Sequence, residues 1–496
     1  MAIDLRFGDT QQVDHFLEAW GRPGPPTITA LTPHGRIEQI SIGTTIEHEL
    51  RHFHDFLLSY PGVHNLWAKL QLTMNAMPLI LGMIDRDDID VIPFPLVTWA
   101  EMPFDQRSHY LEDILGRGHG QRIWQPALMP AERAKVDIDR FTTGKEDGYE
   151  ADILHVIRTQ LRTLATVRTG IEFEGFSHPL TSRFVFELSA FLVQAASVMA
   201  TYGVKEFDEF VNRLASDRSI YPNFFSLMIA LVHERGSPVF GALPLQIDSQ
   251  KVRWEILSAI STWCMVGCVD DGDGLYPEGR LVMLLEKALE DFDGVFPRGL
   301  DCIGLLDHFD RLFGMTPYKA ALTLSQERLA GFLDRAKLRI ANAPNAGDLH
   351  HQCLRIFDGV LKDRARLIER LDTRMEDYVN IGAYARDLPK WPQCPVHLNF
   401  QPAGIVVVRE LLEKLGNDPR YNLLADAPED PDHAVDVMYS SFFPGGSSIP
   451  VDDVVLLGSL RAPCDLLLDP DQTSPADEQA VRSFAKAKGK TLIRVM

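Results

Sequence analysis

Apolar side chains recur at helical spacing along most of this chain. Ile46, Leu50, Phe53 and Leu57 form one such stripe, at intervals that place side chains on a single helix face. The same period predicts helices over 11–20, 64–84 and 106–115. Beyond Tyr149 it predicts them over 151–167, 180–202, 206–215, 223–234, 252–269, 278–290, 301–313, 316–341, 348–361 and 364–378. Two stretches, 27–32 and 36–42, alternate apolar and polar instead. They flank Pro33-His34-Gly35 and predict a β-hairpin.

The pattern shifts near Pro389-Lys390-Trp391-Pro392. Short strands are expected over 435–439, 454–457, 466–468 and 491–495, with helices over 405–415 and 476–488. The fold class expected is therefore mainly α (α+β). A helical domain over 1–390 carries a small N-terminal hairpin, and a small α/β domain follows over 391–496. The polar stretch 116–148 reads as a loop over a cleft. No fixed-period repeat accompanies the helices.

One helix carries chemistry. Residues 44–55 read Thr-Thr-Ile-Glu-His-Glu-Leu-Arg-His-Phe-His-Asp. Thr44 and Glu47 fit a capping box, with Glu47 reaching back to the N-cap. His48 and His52 stand four apart, so a helix presents both imidazoles to one ion. Glu49 lies beside them. Two neutral nitrogen ligands, an open position for water and a carboxylate to take its proton are what metal-assisted hydrolysis requires. Histidine makes up only 16 of 496 residues, so chance rarely produces this spacing on a capped amphipathic helix.

This His-Glu-x-x-His pattern resembles the zincin metallopeptidases, over about a dozen residues. The resemblance implies Zn2+ held by His48 and His52, with Glu49 as the base. In the branch of zincins that uses a glutamate as third ligand, it comes from a separate downstream helix. Residues 184–193, Phe-Val-Phe-Glu-Leu-Ser-Ala-Phe-Leu-Val, resemble that helix. Glu187 is nearly its only charge, and a carboxylate amid apolar neighbours needs a positive partner. The alternative for Glu187 is a salt bridge to Arg183. Asp55 competes as third ligand, or holds His52 in one tautomer. Glu172 and Glu174 are further candidates, as ligands or as binders of a substrate amine. His178, Arg183, Tyr202, Tyr221 and His233 are oxyanion donors by residue type alone.

Other patterns point elsewhere. Cys264 and Cys268 lack a second pair at ligand spacing and read as packing residues. His350, His351 and Cys353 read as a polar helix start. Asp270, Asp271 and Asp273 lack the glutamate that completes a calcium loop. There is no phosphate-cradling loop and no nucleophile elbow.

Composition narrows the partners. A net charge of −20 argues against nucleic acid, whose phosphates need clustered cations. No apolar run of 18 residues predicts a membrane span, and six cysteines are too few for a disulfide scaffold. With no leader-like N-terminus, a cytoplasmic location is expected. The expected function is a zinc-dependent metallopeptidase or amide hydrolase acting on a peptide or protein. Two alternatives use the same residues. One is a di-iron carboxylate bundle built on Glu49, His52, Asp152, His155 and Glu187. The other is a non-catalytic helical interaction protein with a structural metal site.

Overall fold

The structure is a computed structural model. It describes residues 3–6, 12, 15–16, 18–19, 26–103, 105–107, 109, 122–124, 157, 170–174, 176, 178–216, 247–297, 299–343, 346–399, 422–423, 436–441, 446–470 and 473–495. The expected mainly α fold is what these residues form. The expected helices over 151–167, 223–234 and 405–415 and most of the loop 116–148 lie outside them. So do Asp152, His155, Tyr221 and His233.

The elements run β1 (Ile3–Arg6), α1 (Pro33–Gly43), α2 (Thr45–Leu58), α3 (Tyr60–Asp85), β2 (Val91–Phe94), α4 (Leu96–Glu101), α5 (Ser182–Tyr202) and α6 (Val204–Ser216). Next come α7 (Ile247–Met265), a 3-10 turn (Val269–Leu275), α8 (Pro277–Glu290), α9 (Phe292–Val295), α10 (Cys302–Phe313), α11 (Tyr318–Ala341), α12 (Asp348–Val379) and α13 (Ile381–Arg386). The chain closes with β3 (Val396–Asn399), β4 (Asn422–Leu423), β5 (Asp436–Ser441), α14 (Val451–Leu468), α15 (Pro475–Ala487) and β6 (Thr491–Arg494).

Two compact units divide the chain. The first holds Met1–His64, Thr169–Gly331 and Asp358–Val451. The second holds Asn65–Arg168, Phe332–Phe357 and Asp452–Met496. The division expected at 390/391 thus falls inside the first unit. In that unit α2, α5, α7, α8 and α10 pack around Leu50, Phe53, Leu188, Phe191, Ile260, Trp263, Leu284 and Phe309, all buried. Beside them stands a four-stranded sheet in the order β1-β3-β5-β4, with β1 parallel to β3 and the other pairings antiparallel. In the second unit β2 pairs in parallel with β6, Val91 opposite Thr491. Its core gathers Met77, Ile80, Phe94, Trp99, Trp124 and Leu467.

The N-terminal hairpin is not formed. Residues 36–42 belong to α1, which begins at Pro33 with the Thr32 hydroxyl accepting from Gly35 N at 3.1 Å. Proline at the first helical position and threonine just before it are a helix start. Ile37 and Ile40, three apart, both turn inward. The strands expected over 454–457 and 466–468 are likewise part of a helix, α14. Its end buries Cys464, Leu466, Leu467 and Leu468 together. A short run that is apolar on every side reads alike as a buried strand or a buried helix.

α5 combines length and low polarity sufficient to cross a membrane, and most of it is buried within the protein. Its apolar faces are core faces: Phe184, Val185, Leu188, Phe191, Leu192 and Val193 are all buried.

Candidate metal centre

α2 and α5 pack against each other and bring the candidate site together. Their alignment is fixed by polar cross-links. Gln194 Nε2 donates to Thr44 Oγ1 at 3.3 Å, and Arg51 Nε donates to Ser189 Oγ at 2.8 Å. Close approach at one end depends on Gly43, where a Cβ would fall 2.0 Å from the Tyr202 hydroxyl. Between these ties stand His48 and His52 on α2 and Glu187 on α5.

The three side chains converge. His48 Nε2 lies 3.0 Å from His52 Nε2. Glu187 Oε2 lies 3.7 Å from His48 Nε2 and 3.5 Å from His52 Nε2. Tetrahedral zinc with bonds of about 2.0–2.2 Å spaces its donor atoms roughly 3.3 Å apart. The observed separations bracket that value. Among the described residues this is the one group of three metal-ligating side chains so close together. The side chains are 11%, 22% and 17% exposed, which shields the donors yet leaves an approach from solvent.

The electrostatics agree with a cation-binding pocket. Burial alone would raise the Glu187 pKa. The hydrogen bonds and charges of His48 and His52 outweigh it and hold the carboxyl well below its ordinary range. Burial alone would lower the His52 pKa. The hydrogen bond and charge of Glu187, with the charges of Glu49 and Asp55, raise it instead. Three lone-pair donors thus compete for whatever positive charge is present. The donor set fits a divalent ion of zinc's preferences. One feature departs from the usual pattern. His48 Nδ1 is buried with no hydrogen-bond partner, where metal-bound imidazoles ordinarily donate to a carboxylate or carbonyl.

Glu49 is half-buried. It stands three residues from His52 on the same helix and acts on that imidazole through its charge. Arg183 Nε donates to Glu187 Oε1 at 3.4 Å. The salt bridge weighed against a ligand role for Glu187 is therefore present, but on the oxygen turned away from the histidines.

Asp55 plays a different part. It is fully buried, accepts from the Tyr378 hydroxyl at 2.7 Å and pairs with Arg51 at 3.3 Å. It belongs to the core side of α2. Glu172 and Glu174 are exposed, beside the short bridge between Ile171 and Leu180. The Tyr202 hydroxyl is engaged with His15 Nε2 at 2.9 Å. His178 is exposed. The Thr44–Glu47 capping box is not made: Thr44 offers no side-chain cap to α2, and its hydroxyl donates to Ile40 O. Glu47 is instead enclosed, with Oε2 unpartnered, and burial pushes its pKa up to about 7.

The remaining clusters are structural. Asp271 accepts from Thr316 and from Arg280, and Asp270 pairs with Arg328. Cys264 and Cys268 are buried thiols. His350 and Cys353 are buried in the first turns of α12.

Sequence reasoning did not single out Arg51 or His54, which fix α2 in the core. The cue was available: both lie on the inward side of an amphipathic helix. The chain was compared with family models, curated proteins and solved structures, and none of them matches it.

Proposed function

We propose that the chain is a zinc-dependent hydrolase of peptide or other amide bonds. His48, His52 and Glu187 hold the ion, and Glu49 serves as general base. The observation that supports this most is the meeting of His48 Nε2, His52 Nε2 and Glu187 Oε2 from two helices far apart in sequence. A helix-borne histidine pair arises from local spacing alone. A third donor arriving from another helix on the same point does not.

Zinc, when bound, polarises a carbonyl oxygen and makes water a nucleophile near neutral pH. The chain's residues do the rest. His48 and His52 present neutral nitrogens. Glu187 offers one oxygen while Arg183 occupies the other. Glu49 takes the proton of the attacking water and returns it to the departing amine nitrogen. Its place one turn from His52 keeps it beside the ion without spending it as a ligand.

The test is Glu49→Gln, read by metal content and by hydrolysis of a quenched fluorescent peptide pool. One zinc per chain is expected in both proteins, with turnover reduced by about 10²–10⁴-fold in the variant. Undiminished turnover in Glu49→Gln, or a parent protein without stoichiometric zinc, would refute the reading.

A further inference from the structure

Arg183 lies one helical turn before Glu187, in the first turn of α5. A cation is disfavoured there, because the positive end of the helix macrodipole lies at that terminus. Its Nε reaches Glu187 Oε1 at 3.4 Å, while Oε2 of the same carboxylate faces both imidazoles. The side chain is 81% exposed, and Glu187 is its one partner among the described residues. The two terminal nitrogens are the pair that grips a carboxylate bidentately. They make no bond among the described residues.

Metal uptake would change what holds this arginine. A dication on Glu187 Oε2 neutralises the charge that attracted the guanidinium and repels it directly. In the loaded site the ion and Arg183 together outweigh Glu187 and Glu49. A local positive field would then exist in a chain whose net charge is −20. Such a field draws an anion.

We infer, building on the metal-centre reading above, that Arg183 recognises a carboxylate of the substrate. The amide cleaved is the one preceding a free C-terminal residue. Arg183 holds the α-carboxylate, and the scissile carbonyl lies at the metal. The spacing suits this. One residue of chain spans about 3.5 Å, and a single carboxylate group separates Arg183 from the imidazoles. The reaction balances without a further reagent. Water's hydroxyl adds to the carbonyl carbon, the C–N bond breaks, and the proton passes to the departing nitrogen. The products are a shortened peptide acid and a free amino acid.

The test uses the full chain in a Glu49→Gln background to prevent turnover. It is loaded with Co2+, so that binding appears in the visible spectrum. Metal content is measured first. The probes are N-acetylglycylglycine and its C-terminal amide. The acid should bind about 10–100-fold more tightly than the amide, as a charge-assisted contact implies. Adding Arg183→Gln should bring the two affinities together by weakening only the acid. Arg183→Lys, with charge but no fork, should keep part of the gap. A gap that survives Arg183→Gln overturns the proposal, because the carboxylate is then held elsewhere. Equal weakening of acid and amide overturns it too, since Arg183 would be acting on the carbonyl or on Glu187. Absence of acid binding by a metal-loaded chain has the same force. A chain that takes up no stoichiometric metal overturns both readings, and the metal measurement sets that case apart.

Discussion

His52 and His54 stand two residues apart on α2 in opposite surroundings. His54 is fully buried, and both ring nitrogens are bonded, at 2.6 Å to the Tyr384 hydroxyl and at 2.6 Å to Pro392 O. A carbonyl only accepts, so Nε2 carries the proton and Nδ1 accepts from the tyrosine. His52 meets another imidazole and a carboxylate on the opposite side of the helix. The same contrast separates the two acids. Asp55 is tied to Arg51 and Tyr378, whereas Glu187 points an oxygen at two nitrogen atoms that need a cation. Polar groups that satisfy one another hold a fold together. Polar acceptors that converge without satisfying one another mark a place for a ligand.

The largest effect expected from this contrast is on the core side. Arg51 donates to Ser189, to Tyr378 O and to Thr262, and pairs with Asp55. Its guanidinium also stacks 3.8 Å from the Tyr378 ring centre. Arg51→Leu would leave Asp55 charged and buried, with the Tyr378 hydroxyl as its remaining printed-length donor at 2.7 Å. Breaking a buried pair in this way costs about 3–5 kcal/mol. Urea unfolding of the metal-free protein measures it. A loss under about 1 kcal/mol would mean that the network contributes little to holding α2.

The second effect is acid sensitivity. Burial is the main cause of the low pKa of His54, with the charges of Arg51 and Arg370 adding to it, and the value falls to about 3. An unfolded histidine titrates near 6.5. Between these values the unfolded chain binds a proton that the folded chain refuses. Stability from neutral His54 is thus complete above about pH 6.5 and declines as pH falls toward 3. From pH 7.5 to pH 5 the decline amounts to about 2 kcal/mol. His54→Phe should remove that part of the slope, although it loses overall stability through Tyr384 and Pro392. Identical slopes in parent and variant would assign the acid sensitivity to other groups.

Much of the helical framework was legible from spacing. The stripe of Ile46, Leu50, Phe53 and Leu57 is the inward face of α2, and the apolar run around Glu187 is α5, from Ser182 rather than 180. The two predicted segments 348–361 and 364–378 are one helix, α12, because nothing between them breaks it. The meeting of Glu187 with His48 and His52 was legible because an isolated carboxylate in an apolar helix demands a partner. Other features were hidden for physical reasons. The alternation in 36–42 also satisfies a helix through Ile37 and Ile40, and the decisive residues were Thr32 and Pro33 just before it. Asp55 looked like a ligand because its spacing from His48 and His52 suits one. Its true partner, Tyr378, is distant in sequence, and only tertiary packing supplies it.

The smallest effect is expected where function is proposed. Replacing both His48 and His52 with alanine removes no hydrogen bond to the core. His48 Nδ1 has no partner to lose, and Glu187 keeps Arg183. The half-exposed rim around the pair lets water fill the space. In metal-free protein the double variant should lie within about 1 kcal/mol of the parent, the range of substitutions that disturb no packed or bonded group. Zinc should separate the two proteins. An ion that binds only the folded parent raises its melting temperature as its concentration rises, while the double variant should not respond. Paired melting curves with chelator and with added zinc give both numbers. If the metal-free variant loses several kcal/mol, the histidines support the fold as His54 does, and the distinction between the two sides of α2 disappears.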